Sequence, residues 1–255
     1  MKKYIIGNWK MNLNVHEASL FVEKLSATVP IHRNVETVIC PSFLMLQPLS
    51  LQINHRQIKL GAQNCYWRDE GAFTGEVSAS QLKGLAQYVL VGHSERRHVF
   101  NEDEKDIRFK VQAALRNFIR PILCVGETAD ERQRGETEAI LCDQVTSGLM
   151  NVTSADLHNV VLAYEPVWAI GSSEPATPED IRGSVMIIRK QIVHMFGKLA
   201  ADNVPILYGG SSNLKNGPEI LAIKGVDGLL IGRASLYASE FAGLVEAASK
   251  IEGKE

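Results

Sequence analysis

Three side chains suited to acid–base chemistry, Lys10, His93 and Glu165, each follow a short apolar run of the chain. A carboxylate or an imidazole can carry a proton in a reaction, and a lysine can stabilise developing negative charge. Each residue also has a structural explanation when taken alone. Glu165 could form a strand-end salt bridge, His93 a structural hydrogen bond, and Lys10 part of a strand-ending turn. The residue types therefore suggest proton-transfer chemistry as a hypothesis. Whether the three side chains can act together depends on the strands and helices that position them.

The apolar runs number eight and are rich in Val, Ile and Leu without strict alternation. This pattern is typical of strands buried on both faces of a parallel sheet. Eight runs divide the chain into units of about 32 residues, the size of a β-α-β unit. The runs are Tyr4–Ile6, Thr37–Cys40, Ile58–Leu60, Tyr88–Val91, Ile122–Val125, Val160–Tyr164, Ile206–Tyr208 and Leu229–Ile231.

Helical periodicity appears between the runs. It predicts helices at Glu17–Val29, Asp103–Phe118, Thr177–Phe196 and Leu236–Ile251, and Thr177 begins the third as an N-cap. Alternating strands and helices allow a doubly wound sheet or a closed barrel, and eight even units favour the α/β class with a (β/α)8 barrel. No linker or shift in composition divides the chain. A single domain over residues 1–255 is therefore predicted.

Ligands of parallel α/β folds bind at the carboxyl ends of the strands. Lys10, His93 and Glu165 should therefore meet at one rim of the barrel. The segments YGGS (208–211) and IGRAS (231–235) end the last two predicted strands on glycine. Loops at these places often bind phosphate through backbone N–H groups. Either segment alone is a weak signal, but the two together favour a phosphate-bearing ligand.

Composition narrows the function classes. The 255 residues are 45% hydrophobic and 22% charged, with a formal net charge of −2. These values exclude wholesale disorder and argue against a nucleic-acid partner. The cysteines Cys40, Cys65, Cys124 and Cys142 are far apart and read as reduced thiols. The N-terminal apolar run is too short for a signal peptide, and no run spans a bilayer. We expect a soluble cytoplasmic protein with no membrane partner.

Six segments resemble the triosephosphate isomerase family along the whole chain, in order and with similar spacing. They are GNWKMN (7–12), GAFTGEVSA (71–79), GHSERR (92–97), AYEPVWAIG (163–171), YGGS (208–211) and IGRASL (231–236). GHSERR and YEPVWAIG are the most specific of them. The resemblance implies a TIM barrel that acts as an isomerase of glycolysis and gluconeogenesis without a cofactor or metal.

The resemblance also implies roles for individual residues. Dihydroxyacetone phosphate and D-glyceraldehyde 3-phosphate would interconvert through a cis-enediolate, with Glu165 as the base and neutral His93 as the electrophile. Lys10 would supply positive charge, Asn8 would donate a hydrogen bond, and Glu95 would orient Lys10. The substrate phosphate would bind the backbone N–H groups of the glycine-rich loops, with contributions from Asn8, Lys10, Gly171, Ser211, Gly232 and Arg233.

A closing lid over the site is a further implication. Pro166–Trp168 and Glu174–Ala176 would be its hinges, Ile170 would cover the base, and Tyr164, Tyr208 and Glu127 would hold its two positions. The expected lid comprises Pro166, Val167, Trp168, Ala169, Ile170, Gly171, Ser172, Ser173, Glu174, Pro175 and Ala176.

The chain departs from the family pattern at two places. Ser173 stands where the family usually has glycine and Glu174 where it has lysine, followed by Pro175, which restricts the backbone. We expect closure to be retained with an altered rate or equilibrium. Arg233 occupies a position that is often glycine, asparagine or lysine, and we expect its side chain to point to solvent.

The loop Gln63–Glu76 carries aromatic residues, which suggests a protein interface. In the family this loop inserts into a second subunit, with Thr74 near the neighbour's Asn8 and Lys10. A homodimer is therefore expected, and the alternative is a loop folded onto its own barrel.

Two other functions fit the same frame. A class I aldolase would need a Schiff-base lysine in a barrel strand, and no later predicted strand contains one. A non-catalytic phosphate-binding protein predicts loss of Lys10, His93 or Glu165, and all three are present. Metal-assisted isomerisation is disfavoured because no cluster of His and carboxylate ligands is predicted at the rim.

Overall fold

Apolar side chains lie on both faces of the strands, which form a closed barrel. In a computed structural model, which describes residues 2–170 and 175–251, eight parallel strands pair in sequence order and the first pairs with the last. The predicted (β/α)8 barrel is confirmed. The strands are β1 (Lys3–Asn8), β2 (Val35–Cys40), β3 (Lys59–Ala62), β4 (Tyr88–Val91), β5 (Arg120–Val125), β6 (Val161–Tyr164), β7 (Ile206–Tyr208) and β8 (Gly228–Ile231).

Each predicted run overlaps one strand, and the ends differ by at most two residues. The helices are more numerous than the four that periodicity predicts. They are α1 (Val15–Thr28), α2 (Phe43–Gln52), α3 (Ala79–Leu82), α4 (Ser94–His98), α5 (Glu104–Arg116), α6 (Ala129–Gln133), α7 (Thr137–Gly148), α8 (Pro178–Phe196), α9 (Lys198–Ala201), α10 (Gly217–Ala222) and α11 (Ala238–Ser249).

Capping explains where the longer helices begin. The Thr177 side chain accepts from the Asp180 N–H, and Asp180 bonds back to Thr177, so the predicted start of α8 is confirmed. Helix α1 begins two residues before its predicted start because Asn14 and Glu17 form the same kind of capping box. Three short 3-10 helices, Leu157–Asn159, Val167–Ala169 and Arg233–Leu236, complete the described elements.

Two apolar clusters build the core. One lies between strands and helices, and the other consists of alternate strand residues that fill the barrel, such as Ile6, Ala163 and Leu230. Side chains two residues apart on a strand point to the same side. Asn8, Glu165 and Gly232 follow Ile6, Ala163 and Leu230 by two residues. They therefore continue the inward-facing series to the rim at the carboxyl ends of the strands. No helix in the described ranges combines the length and apolar character needed to cross a membrane.

Candidate active site

A cavity of about 660 Å³ opens at the carboxyl ends of the strands. It joins residues that are far apart in the sequence, because every strand of a parallel barrel ends at the same rim. Its lining includes Asn8, Trp9, Lys10, Asn12, His93, Glu165, Ile170, Gly209, Gly210, Ser211, Ser212, Leu230, Gly232, Arg233, Ala234 and Leu236.

Glu165 is the most buried charged group of this cavity, at 2% exposure. Its Oε2 accepts the Ser94 N–H at 2.9 Å, and its Oε1 lies 3.0 Å from His93 Nε2. Burial raises the pKa of Glu165, but the contacts with His93, with the Ser94 N–H and with nearby Lys10 outweigh it, so the pKa lies below its ordinary value. The carboxylate is therefore held ionised.

His93 immediately precedes α4, and its Nδ1 accepts the Glu95 N–H at 3.2 Å. With Nδ1 used as an acceptor, the ring proton lies on Nε2 and faces Glu165. Burial lowers the pKa of His93, whereas the adjoining Glu165 carboxylate raises it, and the net direction is upward. This direction differs from the lowered pKa expected for a neutral electrophile, because a carboxylate lies directly against the ring.

Lys10 is held in place through both its backbone and its ammonium group. Its φ of 52° lies in the left-handed region, which is rare for a lysine. Two contacts hold this conformation: the Lys10 N–H donates to Asn8 Oδ1 at 3.0 Å, and Gln63 Nε2 donates to the Lys10 carbonyl at 2.8 Å. Lys10 Nζ lies 2.7 Å from Glu95 Oε1, so the ion pair expected from the resemblance is present.

Sequence reasoning gave Gln63 no role, although it lies directly after β3. Its Nε2 also donates to the Cys40 carbonyl at 2.9 Å and thereby joins the ends of β1 and β2. An amide at a strand end was the only sequence signal for this function.

The glycine-rich turns form one end of the cavity. A Cβ on Gly209 would lie 2.8 Å from Glu165 Cγ, so only glycine leaves the carboxylate its observed position. Gly232 lies beside Lys10, since a Cβ there would be 3.8 Å from Lys10 Cε. Ser211 and the Arg233 side chain are exposed at the cavity mouth.

Only part of the expected lid can be placed. Gly171, Ser172, Ser173 and Glu174 lie outside the described residues. The preceding 3-10 helix Val167–Ala169 is described, and Ile170 lines the cavity with 39% of its surface exposed.

Trp168 is anchored on a buried carboxylate. Its Nε1 donates to Glu127 Oε1 at 2.9 Å, and the Tyr164 hydroxyl donates to the same oxygen at 3.1 Å. The Arg132 guanidinium lies 4.0 Å from the Trp168 ring centroid and pairs with Asp180 at 2.6 Å. Neither Arg132 nor Asp180 was expected in this role, because nothing in their local sequence points to Trp168. Burial raises the pKa of Glu127 despite these donors.

Thr74 is exposed and lies away from the cavity, in the aromatic loop after β3. Tyr66 packs on Phe73 with ring centroids 4.6 Å apart, and Trp67 packs on Phe109 at 5.1 Å. Part of the loop therefore packs on its own barrel, while 38% of Phe73 stays exposed.

The described side chains offer no group of three or more His, Cys, Asp or Glu residues placed to hold a metal ion.

Comparison with known proteins gives one consistent result. A family model described as triosephosphate isomerase matches residues 3–248. A triosephosphate isomerase of Dehalococcoides mccartyi is 40% identical over 255 residues, which cover 100% of both chains. Those of Carboxydothermus hydrogenoformans and Chlorobium phaeobacteroides are 43% and 44% identical, over 96% and 97% of this chain and 98% and 99% of theirs.

Proposed function

The chain belongs to the triosephosphate isomerase family, a family of isomerases, and from that premise we propose that it interconverts dihydroxyacetone phosphate and D-glyceraldehyde 3-phosphate. The observation that carries the proposal is the buried contact between Glu165 Oε1 and His93 Nε2, 3.0 Å apart in the cavity that Lys10 also lines. A base, a proton donor and a fixed cation are the groups that an aldose–ketose interconversion requires.

Glu165 is the proposed base. The reaction removes a proton from the carbon next to a carbonyl and returns it to the adjacent carbon, so one carboxylate can serve both positions. To reach either carbon, Glu165 must leave the Ser94 N–H and His93 Nε2 that hold it. Its lowered pKa supports the role, because the group is ionised before the substrate arrives.

His93 is the proposed electrophile. Nε2 carries the proton when Nδ1 accepts the Glu95 N–H, so Nε2 can donate to the substrate oxygen as negative charge develops there. The same nitrogen can shuttle protons between the two oxygens of the cis-enediolate. Glu95 supports both His93 and Lys10, since it contacts each of them.

Lys10 and Asn8 stabilise the oxyanion in this proposal. The Lys10 ammonium supplies fixed charge in a partly buried site, where it acts more strongly than in bulk water. Asn8 Oδ1 accepts the Lys10 N–H, which leaves Nδ2 to donate to the substrate. The phosphate group binds the backbone N–H groups of Gly171, Ser211, Gly232 and Arg233, a mode that suits a dianion at glycine-rich turns.

Residues 166–176 are proposed as a lid that closes over the bound substrate. An enediolate that carries a phosphate group eliminates phosphate readily in water, so closure protects the intermediate. The hydrogen bond of Trp168 with Glu127 supports a defined position for the first hinge. Tyr208 would take part in the second position, because its hydroxyl lies against Gly210 and near Pro166.

A homodimer in the cytoplasm completes the proposal. The exposed face of Phe73 and the exposed Thr74 support an interface at the loop after β3. Size-exclusion chromatography with light scattering tests it: wild type should elute as a dimer, and Thr74→Arg should shift it toward monomer. A monomeric wild type at micromolar concentration would contradict the interface.

The activity is tested by following each triose phosphate with a coupling enzyme that consumes the other, with and without a metal chelator. Interconversion that survives chelation supports the proposal, and a folded but inactive protein contradicts it. Borohydride trapping in the presence of dihydroxyacetone phosphate tests the aldolase alternative, since stable labelling requires a Schiff-base lysine. No labelling is expected, because the lysines of the described strands, Lys3 and Lys59, stand at the ends opposite the cavity, and Lys10, which lines it, forms an ion pair with Glu95.

A further inference from the structure

A buried indole joins the loop that carries Lys10 to the segment after the last strand. Trp9 directly precedes Lys10 and is fully buried. Its Nε1 donates to the Ser235 carbonyl at 3.1 Å, across 226 positions of the chain. A buried indole N–H needs an acceptor, and this one is provided by the 3-10 helix Arg233–Leu236. The bond therefore connects the end of β1 with the segment that follows β8.

The Trp9 ring has a fixed orientation. The Trp9 N–H donates to the Cys40 carbonyl at 3.1 Å, and the Asn12 side chain donates to the Trp9 carbonyl at 2.7 Å. The ring meets Phe21 edge-on, with ring centroids 4.9 Å apart and planes at 75°, which is a favoured arrangement of aromatic pairs. Backbone bonds and aromatic packing together fix the position from which the indole reaches Ser235.

Ser235 is tied in turn to Gly232, whose N–H is a proposed phosphate donor. The Ser235 N–H and the Ser235 hydroxyl donate to the Gly232 carbonyl at 2.9 Å and 2.7 Å. Strand β1 lies directly against Ser235, since a Cβ on Gly7 would be 2.8 Å from Ser235 Cβ. A shift of Ser235 would therefore move the turn formed by Gly232 and Arg233.

Two proposed anion-binding groups lie at the ends of this series of contacts. Lys10 follows Trp9, and a Cβ on Gly232 would be 3.8 Å from Lys10 Cε. We propose that Trp9 is a positioning residue, which sets the distance between the Lys10 ammonium and the turn at Gly232 and Arg233 through its bond to Ser235. A ligand that contacts both groups gains affinity when they are already ordered. The inference rests on the proposed function and gives its two anion-binding groups a common support.

The test replaces Trp9 with benzothienylalanine, an isostere in which sulfur takes the place of the N–H. Phosphoglycolate, which carries a phosphate and a carboxylate on a two-carbon frame, is the probe that can contact the turn and Lys10 together. Inorganic phosphate is the probe that occupies the phosphate end alone. Calorimetry should show that the isostere weakens phosphoglycolate binding about five- to tenfold, as expected for one lost hydrogen bond, and changes phosphate binding by less than about twofold.

Two further proteins separate the lost hydrogen bond from other effects. The same replacement at Trp67, which packs on Phe109 outside the cavity, is the matched control and should leave both affinities unchanged. Trp9→Phe keeps an aromatic ring near Phe21 and lacks the N–H, so it should reproduce the selective loss. A site that is only destabilised would bind both probes more weakly to the same extent.

Equal affinity of wild type and the Trp9 isostere for phosphoglycolate would overturn the inference, as would an equal loss for both probes. A wild type that does not bind phosphoglycolate would overturn it as well. Because these measurements do not depend on turnover, they are independent of the proposed reaction. A selective loss in a protein without isomerase activity would support the role of Trp9 and contradict only that reaction.

Discussion

Glu165 Oε1 lies 3.0 Å from His93 Nε2, although Glu165 follows β6 and His93 follows β4. The second carboxylate oxygen accepts the N–H of Ser94, the residue that follows His93. Two consecutive residues therefore hold both oxygens of one carboxylate. This arrangement keeps Glu165 ionised and fixes the position of its carboxylate in the empty site.

The contact predicts the pH dependence of the reaction. The pKa of the proposed base Glu165 lies below its ordinary 4.5, so the limb of kcat/KM that reports this base should lie below pH 4.5, beneath a separate acid limb that the raised pKa of His93 sets. His93→Ala removes the limb of His93 itself, and it also removes a contact that lowers the pKa of Glu165 while burial still raises it, so the limb of Glu165 should move to higher pH. The rates must be expressed per substrate dianion, because the phosphate group itself titrates at about pH 6.

His98→Ala is the matched control for this experiment, since His98 is an exposed histidine at the end of α4, the short helix that His93 caps. Its pH profile should match wild type. A limb of Glu165 that stays in place in His93→Ala would show that the contact does not set the pKa of the base.

Arg233 predicts a salt-dependent association rate. Arg233 is exposed and lines the cavity, so its positive charge should attract the proposed dianionic substrate. Arg233→Gln should lower kcat/KM about two- to fivefold at low ionic strength. It should also weaken the dependence of kcat/KM on salt, because the variant lacks the positive charge that salt screens in the wild type. Arg233→Lys keeps the charge and should resemble wild type. If kcat/KM of Arg233→Gln and of the wild type depended equally on salt, the Arg233 charge would have no part in substrate association.

The sequence of the proposed lid predicts altered closure kinetics. Trp168 contacts Glu127 and Arg132 at the proposed first hinge, so temperature-jump fluorescence should resolve the motion of that hinge. The double variant Ser173→Gly/Glu174→Lys restores the family pattern and should relax at a different rate from wild type. Trp168→Phe should abolish the signal and so identifies its source among the three tryptophans. Indistinguishable relaxation in the two lid sequences would refute the prediction.

Phe118 predicts a stabilising substitution. It follows α5 with a φ of 61° and is 84% exposed, so a bulky residue occupies the left-handed region without a buried contact to compensate. Phe118→Gly should raise the free energy of unfolding by about 1 kcal/mol. Phe118→Ala removes the ring but keeps the strain and should gain little. Urea unfolding that ranks Ala with Gly would assign the effect to the exposed ring instead.

The sequence predicted the barrel well because its strands are buried on both faces and read as continuous apolar runs. The same runs placed Lys10, His93 and Glu165 at one rim. Short helices such as α3 and α10 were not predicted, since one or two turns give little periodicity.

The supporting contacts could not be predicted because their partners are remote in sequence. Gln63 bonds a carbonyl 53 residues away, and Arg132 stacks on Trp168 and pairs with an acid 48 residues away. The net direction of the His93 pKa likewise depends on Glu165, 72 positions later by residue number. The left-handed backbone conformation of Lys10 could not be predicted from the sequence, because lysine rarely adopts it.

The base assignment is tested most directly by kcat of Glu165→Gln, which keeps the shape of the side chain and removes its charge. Loss of a general base lowers kcat by about 10²–10⁴-fold, and that loss is predicted here with thermal stability retained. Glu179→Gln, at an exposed glutamate on α8, is the matched control and should keep full activity. A folded Glu165→Gln protein with kcat within about threefold of wild type, well short of the loss of a general base, would contradict the assignment.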